Sequence, residues 1–279
     1  MVRLSVAGAA AALLAGALLV SQAQPQPPAR KRVLIWGDTI TAYQHDSVSH
    51  AMAVVERLGK ESGAFDAYIR TDSQLITKQP VPAPARNTRN LDYFDAIFFL
   101  GTGDNLGPQQ KRDLMSFIRE DGKGFVGAHT GDDAFFDWPE FGEMIGGYFD
   151  GHPWSVFDAP VIVEVPDFPA MKMFPARFTI RDEIYQHKSF ARDKVRVLAR
   201  LDASKLDYTK PNINRTDRDF AVAWAKMYGK GRVFYATFGH ADETWDNPQV
   251  QKMYLEAIRW SLRLVGGDVT PGPPKPPSN

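Results

Sequence analysis

The chain has 279 residues, 44% hydrophobic and 24% charged, which suits a globular protein of one large domain or two small ones. Lys+Arg and Asp+Glu balance at 33 each, so there is no basic excess to neutralise phosphates, which argues against a nucleic-acid partner. The lack of cysteine excludes thiolate nucleophiles, Cys-held metals, Cys-attached haem and disulfides, leaving the core to hold by packing alone.

At the N-terminus, Met1-Val2-Arg3 carries positive charge, Leu4 to Val20 is apolar, and Ser21-Gln22-Ala23 offers a small-x-small cleavage site. This pattern predicts a signal peptide over 1–23 and a periplasmic or otherwise exported protein. The apolar run falls short of the roughly 20 residues that span a bilayer, so no stable membrane insertion is expected after cleavage; a retained anchor is the alternative. A Pro/Gln linker follows over 24–30, an α/β domain over 31–267, and a Pro-rich tail expected to be disordered over 268–279.

Within the domain, Arg32 to Trp36, Ala96 to Leu100 and Phe125 to Gly127 are short apolar runs ending in glycine, typical of buried parallel strands. Phe65 to Ile69 reads as another strand. Val48 to Leu58 has helical spacing, and Pro108 opens a helix running to about Glu120. The polar, Pro-rich stretch from Gln79 to Asn90 reads as an insertion or lid. The second half is richer in strands: Val161 to Val165, Phe178 to Tyr185, Val195 to Leu201, Ala221 to Met227 and Val233 to Phe238, with a tight turn at Tyr228 to Gly231. A last helix covers Asn247 to about Leu264. Alternation of strand and helix in the first half predicts a doubly wound, mainly parallel sheet. Trp36, Trp224 and Trp260 are expected in the core.

Ligands of such sheets bind beyond the carboxyl ends of the strands. His45, Asp104, His129, Asp132, His152, Glu183, His187, His240 and Asp242 all lie beside glycines or strand termini. His50, at helical spacing among polar residues, reads as surface. The segment Gly127-Ala128-His129-Thr130-Gly131 has the form of a nucleophile elbow, with histidine where an acyl-transfer enzyme would carry Ser or Cys. Histidine there suits acid/base work or metal ligation, and a Ser-His-Asp hydrolase is not expected. His129, His240, Glu183 and His152 are the candidate catalytic residues. Asp104, Asp132, Trp154 and Asp242 are candidates for contacting substrate. His45, His129, His187 and His240 are candidate metal ligands, although their scattered spacing leaves open whether they bind metal or move protons.

Several of these segments together resemble the trehalose-utilisation (ThuA-like) family. They are Val33 to Gly37 with His45-Asp46, the elbow at His129, Gly146-Gly147-Tyr148-Phe149 with His152-Pro153, Asp182 to Tyr185, and Gly229 to Tyr235 with Gly239-His240. The likeness runs from about Lys31 to Leu264. It implies a flavodoxin-like, class I glutamine amidotransferase-like fold, with His129 standing at the amidotransferase cysteine and Gly101-Thr102-Gly103 at the oxyanion-hole loop. Because the nucleophile is missing, glutaminase activity is not implied. The resemblance further implies an enzyme acting on oxidised (3-keto) glycosides related to trehalose by elimination, hydrolysis or isomerisation. One divalent metal, Zn or similar, would suit such chemistry as a Lewis acid, and no nucleotide or haem is expected. A small sugar is the expected partner, and nothing opposes a homo-oligomer. The rival readings are a non-catalytic carbohydrate-binding protein stacking sugar on Phe136, Trp138 and Trp154, and an interaction module with structural histidines.

Overall fold

The computed structural model describes residues 30–80 and 89–272. The expected signal peptide, nearly all of the linker, much of the 79–90 insertion and the last seven residues lie outside that range. Among the described residues no helix is long and apolar enough to cross a membrane.

Sixteen main elements follow in chain order. They are β1 (Lys31–Gly37), α1 (Val48–Ser62), β2 (Phe65–Arg70), β3 (Ala96–Leu100), α2 (Pro108–Arg119), β4 (Gly124–Ala128), α3 (Pro139–Ile145) and β5 (Tyr148–Phe149). Then come β6 (Val156–Val163), β7 (Arg177–Glu183), β8 (His187–Lys188), β9 (Arg196–Leu201), β10 (Ala221–Tyr228), β11 (Gly231–Ala236), α4 (Asp242–Asp246) and α5 (Pro248–Ser261). Nine strands form one sheet in the order β2-β1-β3-β4-β11-β10-β9-β6-β7. The first five are mutually parallel; from β11 onward each neighbour is antiparallel.

Strands β3 and β4 are buried along their whole length, which is why they read as unbroken apolar runs. One core layer joins α1 and α5 to a face of the sheet through Val55, Leu58, Tyr254 and Ile258. The other joins α2 and α3 to the opposite face through Leu114, Phe117, Phe141 and Met144. The parallel half is thus covered on both sides, as the alternation predicts. Trp36, Trp224 and Trp260 are fully buried.

Two expectations are corrected, on β6 and on the tail, and one pairing is new. Strand β6 begins five residues before Val161, because Pro160 interrupts the β pattern without breaking the ladder; it sits opposite Thr179. The two-residue strands β5 and β8 pair with each other in a separate small sheet. The tail does not start free, since Val269 packs against the core and Arg196 reaches the Thr270 carbonyl.

The curvature of the sheet matters most for function. Strands β10, β9 and β6 lie between β11 and β7 in the order, yet the chain leaving β7 bonds directly to the chain leaving β11. Tyr185 N donates to Thr237 Oγ1 at 3.1 Å, and Gly239 N donates to Asp182 Oδ2 at 2.8 Å. The antiparallel half therefore curls back until the end of β7 meets the carboxyl ends of β4 and β11.

Candidate metal centre

Four side chains converge at that meeting point. His45, His129, Glu183 and His240 each offer a ligand atom, and these atoms all lie within 4.8 Å of one another. Each comes from a different carboxyl end: His45 from the loop after β1, His129 from the residue after β4, Glu183 from the last residue of β7, and His240 from the loop after β11.

The loops are held by local chemistry. Thr41 Oγ1 donates to the Thr102 carbonyl at 2.6 Å, and Thr102 Oγ1 donates to the Tyr43 carbonyl at 2.6 Å. These bonds tie the Gly101–Gly103 loop to the loop carrying His45. Gly103 has φ +83° and a Cβ there would meet Thr41 at 2.9 Å, so glycine is required for this approach. Ser47 Oγ donates to Gly239 O at 3.0 Å, linking the His45 loop to the His240 loop. Gly239 has φ +132° and lies against Trp245, and the Asp182 carboxylate also accepts from His240 N at 3.2 Å. Burial pushes Asp182 up to about 6, against the pull of the N–H groups of Gly239, Glu183 and His240.

His129 is the pivot. Its φ of +42° is a left-handed conformation unusual for a side-chain-bearing residue, and it turns the imidazole into the cluster instead of along the strand. The turn is backed by Tyr235, whose hydroxyl lies 2.7 Å from His129 O and 2.8 Å from Asp132 Oδ1. His129 Nδ1 donates to the Thr237 carbonyl at 2.6 Å, leaving Nε2 facing Tyr185 Oη at 2.8 Å and Glu183 Oε2 at 3.7 Å. Glu183 Oε2 is also 3.3 Å from His240 Nδ1, and Oε1 is 3.4 Å from His152 Nδ1.

Burial, reinforced by the neighbouring His45, holds His129 well below the usual histidine range. Burial also lowers His45, with His240 adding to the effect. His240 is instead raised, by its contact with Glu183. Burial pushes Glu183 upward, but His240, His152 and His45 outweigh it and keep the carboxylate ionised. At neutral pH the set thus carries two neutral imidazoles, one imidazole that binds a proton more readily, and one anion. His45 Nδ1 and His240 Nδ1 are buried without a well-aligned hydrogen-bond partner. Unsatisfied nitrogens around a carboxylate are the donor set that Zn²⁺ and similar ions take, at ligand distances of roughly 2.0–2.2 Å. Small side-chain rotations would draw the four atoms onto one ion, so the residues fit a divalent metal.

The lowered histidines make a prediction. Below pH 6.5 the unfolded chain binds protons that His129 and His45 in the fold refuse, so stability falls as pH drops from 6.5 toward their folded values. His240 acts oppositely, its contribution being lost as pH rises through its raised value, but His129 carries the larger shift. The raised carboxyls of Asp133 and Asp182 pull the other way over the same range, so the expected result is a difference: from pH 7 to pH 5 the melting temperature of the unaltered protein falls relative to that of His129→Asn, where asparagine tolerates the positive φ. The same change with pH in both proteins would contradict this assignment.

The other sequence candidates are placed differently. His187 is not in the cluster: its Nε2 lies 3.1 Å from Asp132 Oδ2, both groups buried, with its ring edge-on to Trp224. The expected metal ligand is thus replaced by Glu183 at the fourth corner. Asp132 is likewise withdrawn from substrate, being fully buried beneath His129. Asp104 is exposed and pairs with Lys111. Asp242 is exposed in the first turn of α4. Trp154 packs on Phe157 and Phe220 with Nε1 donating to the Asp207 carbonyl, and its edge lines a separate cleft with Lys205 and Lys210. It is no stacking platform for the cluster. Trp138 is half-buried, with Lys111 over its ring. His152 does reach the centre, and 45% of its side chain is exposed. His50 sits at the surface, 2.8 Å from Asp246.

Two residues near the centre escape the sequence reading. Tyr185 lies two residues beyond Glu183, a spacing that puts both on one side of an extended chain. Asp133 is a half-buried carboxyl that burial and the adjacent Asp132 push up to about 7.

The model of the trehalose utilisation (ThuA) family matches residues 32–261, nearly all of the described chain. The chain belongs to the ThuA family. Among solved structures, a ThuA-like protein from Bacteroides uniformis is 24% identical, with a TM-score of 0.68 over 86% of this chain and 95% of that one. A ThuA-like protein from Parabacteroides merdae is 17% identical, with a TM-score of 0.64 over 84% of this chain and 90% of that one. Both share the fold of this ThuA chain. No curated protein matches it.

Proposed function

We propose that this ThuA protein is an exported, metal-dependent enzyme that cleaves 3-keto-glycosides related to trehalose by β-elimination, on a class I glutamine amidotransferase-like fold. The observation that carries the reading is the convergence of His45, His129, Glu183 and His240 from four separate strand ends. The family's link to trehalose use supplies the substrate class.

A bound divalent cation would act as a Lewis acid on the C3 carbonyl oxygen, stabilising the enolate. The chain's own groups handle the protons. His152, part-exposed and 3.4 Å from Glu183, takes the C2 proton; the electron pair forms the C1–C2 double bond as the C1–O bond breaks. Asp133, pushed up to about 7, still holds enough proton at neutral pH to give one to the departing oxygen. Glu183 stays ionised and orients the rings of His152 and His240.

The test compares 3-keto-trehalose with trehalose. Turnover of the keto sugar only, lost with chelator and restored by Zn(II), is expected. His152→Ala should lose about 100-fold in kcat while keeping its cation. Turnover indifferent to chelator, or none on the keto sugar by zinc-loaded protein, would overturn the proposal.

A further inference from the structure

Tyr185 is the buried group closest to the cluster that the proposed chemistry leaves without a task. Its ring overlies the His129 imidazole at 4.3 Å, tilted by 33°, and also packs edge-on with Phe149 at 4.5 Å. The residue is 1% exposed. A carbonyl oxygen can only accept, so the contact between His129 Nδ1 and Thr237 O fixes the proton on Nδ1 and leaves Nε2 with a single lone pair. That lone pair is where the Tyr185 hydroxyl donates, at 2.8 Å. It is also the atom His129 would turn to a cation, because Nδ1 is already engaged. One lone pair cannot serve both.

We infer that Tyr185 is a displaceable donor: its hydroxyl occupies the His129 lone pair while no cation is held, and turns to an oxygen of the bound ligand once one is. This inference rests on the metal reading above. The argument for the second position is one of burial. A hydroxyl stripped of its acceptor in an enclosed place is destabilised until it finds another. Its hydroxyl already sits at His129 Nε2 and so at the cluster, where the oxygens of a sugar or of any small oxygen-donor ligand bound to the cation would lie. Cation binding should therefore be weakened by Tyr185, and oxygen-ligand binding strengthened by it. Tyr185 would thus couple the two binding events, so that a cation with no ligand is the least favoured state.

The experiment titrates Zn(II) into the full-length protein and Tyr185→Phe by calorimetry, then acetohydroxamate into each zinc-loaded form. The ring and its packing on His129 survive the change. The phenylalanine variant is expected to bind Zn(II) about two- to tenfold tighter, the equivalent of one net hydrogen bond, and to bind acetohydroxamate weaker by a similar factor. A purely structural tyrosine would not give these opposite signs. Equal or weaker Zn(II) affinity in folded Tyr185→Phe overturns the inference while leaving the metal site standing. Failure of the unaltered protein to bind Zn(II) overturns both. Should the variant not fold, ¹⁵N-histidine spectra of the unaltered protein decide. Zinc must shift His129 Nε2 with Nδ1 still protonated, and an Nε2 that still accepts from the tyrosine hydroxyl with zinc bound overturns the inference.

Discussion

Glu183→Gln is expected to lose divalent-cation affinity by more than about 100-fold while keeping its fold. Loss of a group that only orients a ligand costs roughly 10–100-fold, and Glu183 is the only anion among the four converging groups. Glutamine has the same shape and can fill the same space against His152 and His240, so packing changes little. What it removes is the charge that lies 3.3 Å from His240 and 3.7 Å from His129. Without it, three imidazoles converge on a cation with no countercharge, in a place where burial already lowers His45 and His129. Turnover on a keto sugar should fall by a factor on the order of 100 or more, as for loss of an oxyanion donor. Calorimetry with Zn(II) alongside a melting curve checks both parts. Unchanged cation affinity in a folded Glu183→Gln would show that the carboxylate is not a ligand.

The second large effect lies away from the centre. Arg192, with only 9% of its side chain exposed, lies between two carboxylates. It makes paired bonds to Glu164 at 2.8 and 2.9 Å and to Asp219 at 2.5 and 2.7 Å, while Arg200 Nε lies 3.0 Å from the same Glu164. Glu164 follows β6, Arg200 lies on β9, and Asp219 precedes β10, so the network staples the curled half of the sheet that delivers Glu183. Arg192→Met keeps the side chain's length but leaves the largely enclosed Glu164 and Asp219 carboxylates short of a cation. Breaking a buried pair in this way costs about 3–5 kcal/mol; retention of Arg200 places the expected loss near 3 kcal/mol. Denaturant unfolding should show that loss, with a drop in melting temperature of roughly 6–12 °C. A loss below about 1 kcal/mol would mean the network is solvated and does not hold the curl.

The parallel half of the fold is legible in the sequence because strands buried on both faces carry no polar positions. Ala96 to Leu100 could be little else. The antiparallel half is harder to read. Pro160 hides the first half of β6, and β5 and β8 are too short to carry a pattern. The curl that brings β7 back to β11 rests on Asp182 accepting from Gly239 and His240, contacts between residues more than 50 apart. No local pattern encodes such pairings. The same limit explains the exchange of His187 for Glu183. Both lie at the end of or just past a strand-like stretch, and only the curvature decides that Glu183 faces the histidines while His187 faces Asp132. Trp154 misleads for a local reason. It lies two residues past His152, which in a strand would share its side, but the chain turns there, with Ser155 N donating to His152 O and Ser155 at φ +48°. His129 is readable without any of this, because small residues on both sides mark a sharp turn after a buried strand.

The central claim is that His45, His129, Glu183 and His240 hold one divalent cation. Anomalous diffraction at the zinc edge, on crystals of the untagged protein grown with Zn(II), tests it most directly. The account predicts one strong peak bonded to all four side chains, at about 2.0–2.2 Å from each ligand atom. A zinc-soaked crystal with no peak there, or with the ion held elsewhere and these four side chains unmoved, would contradict it.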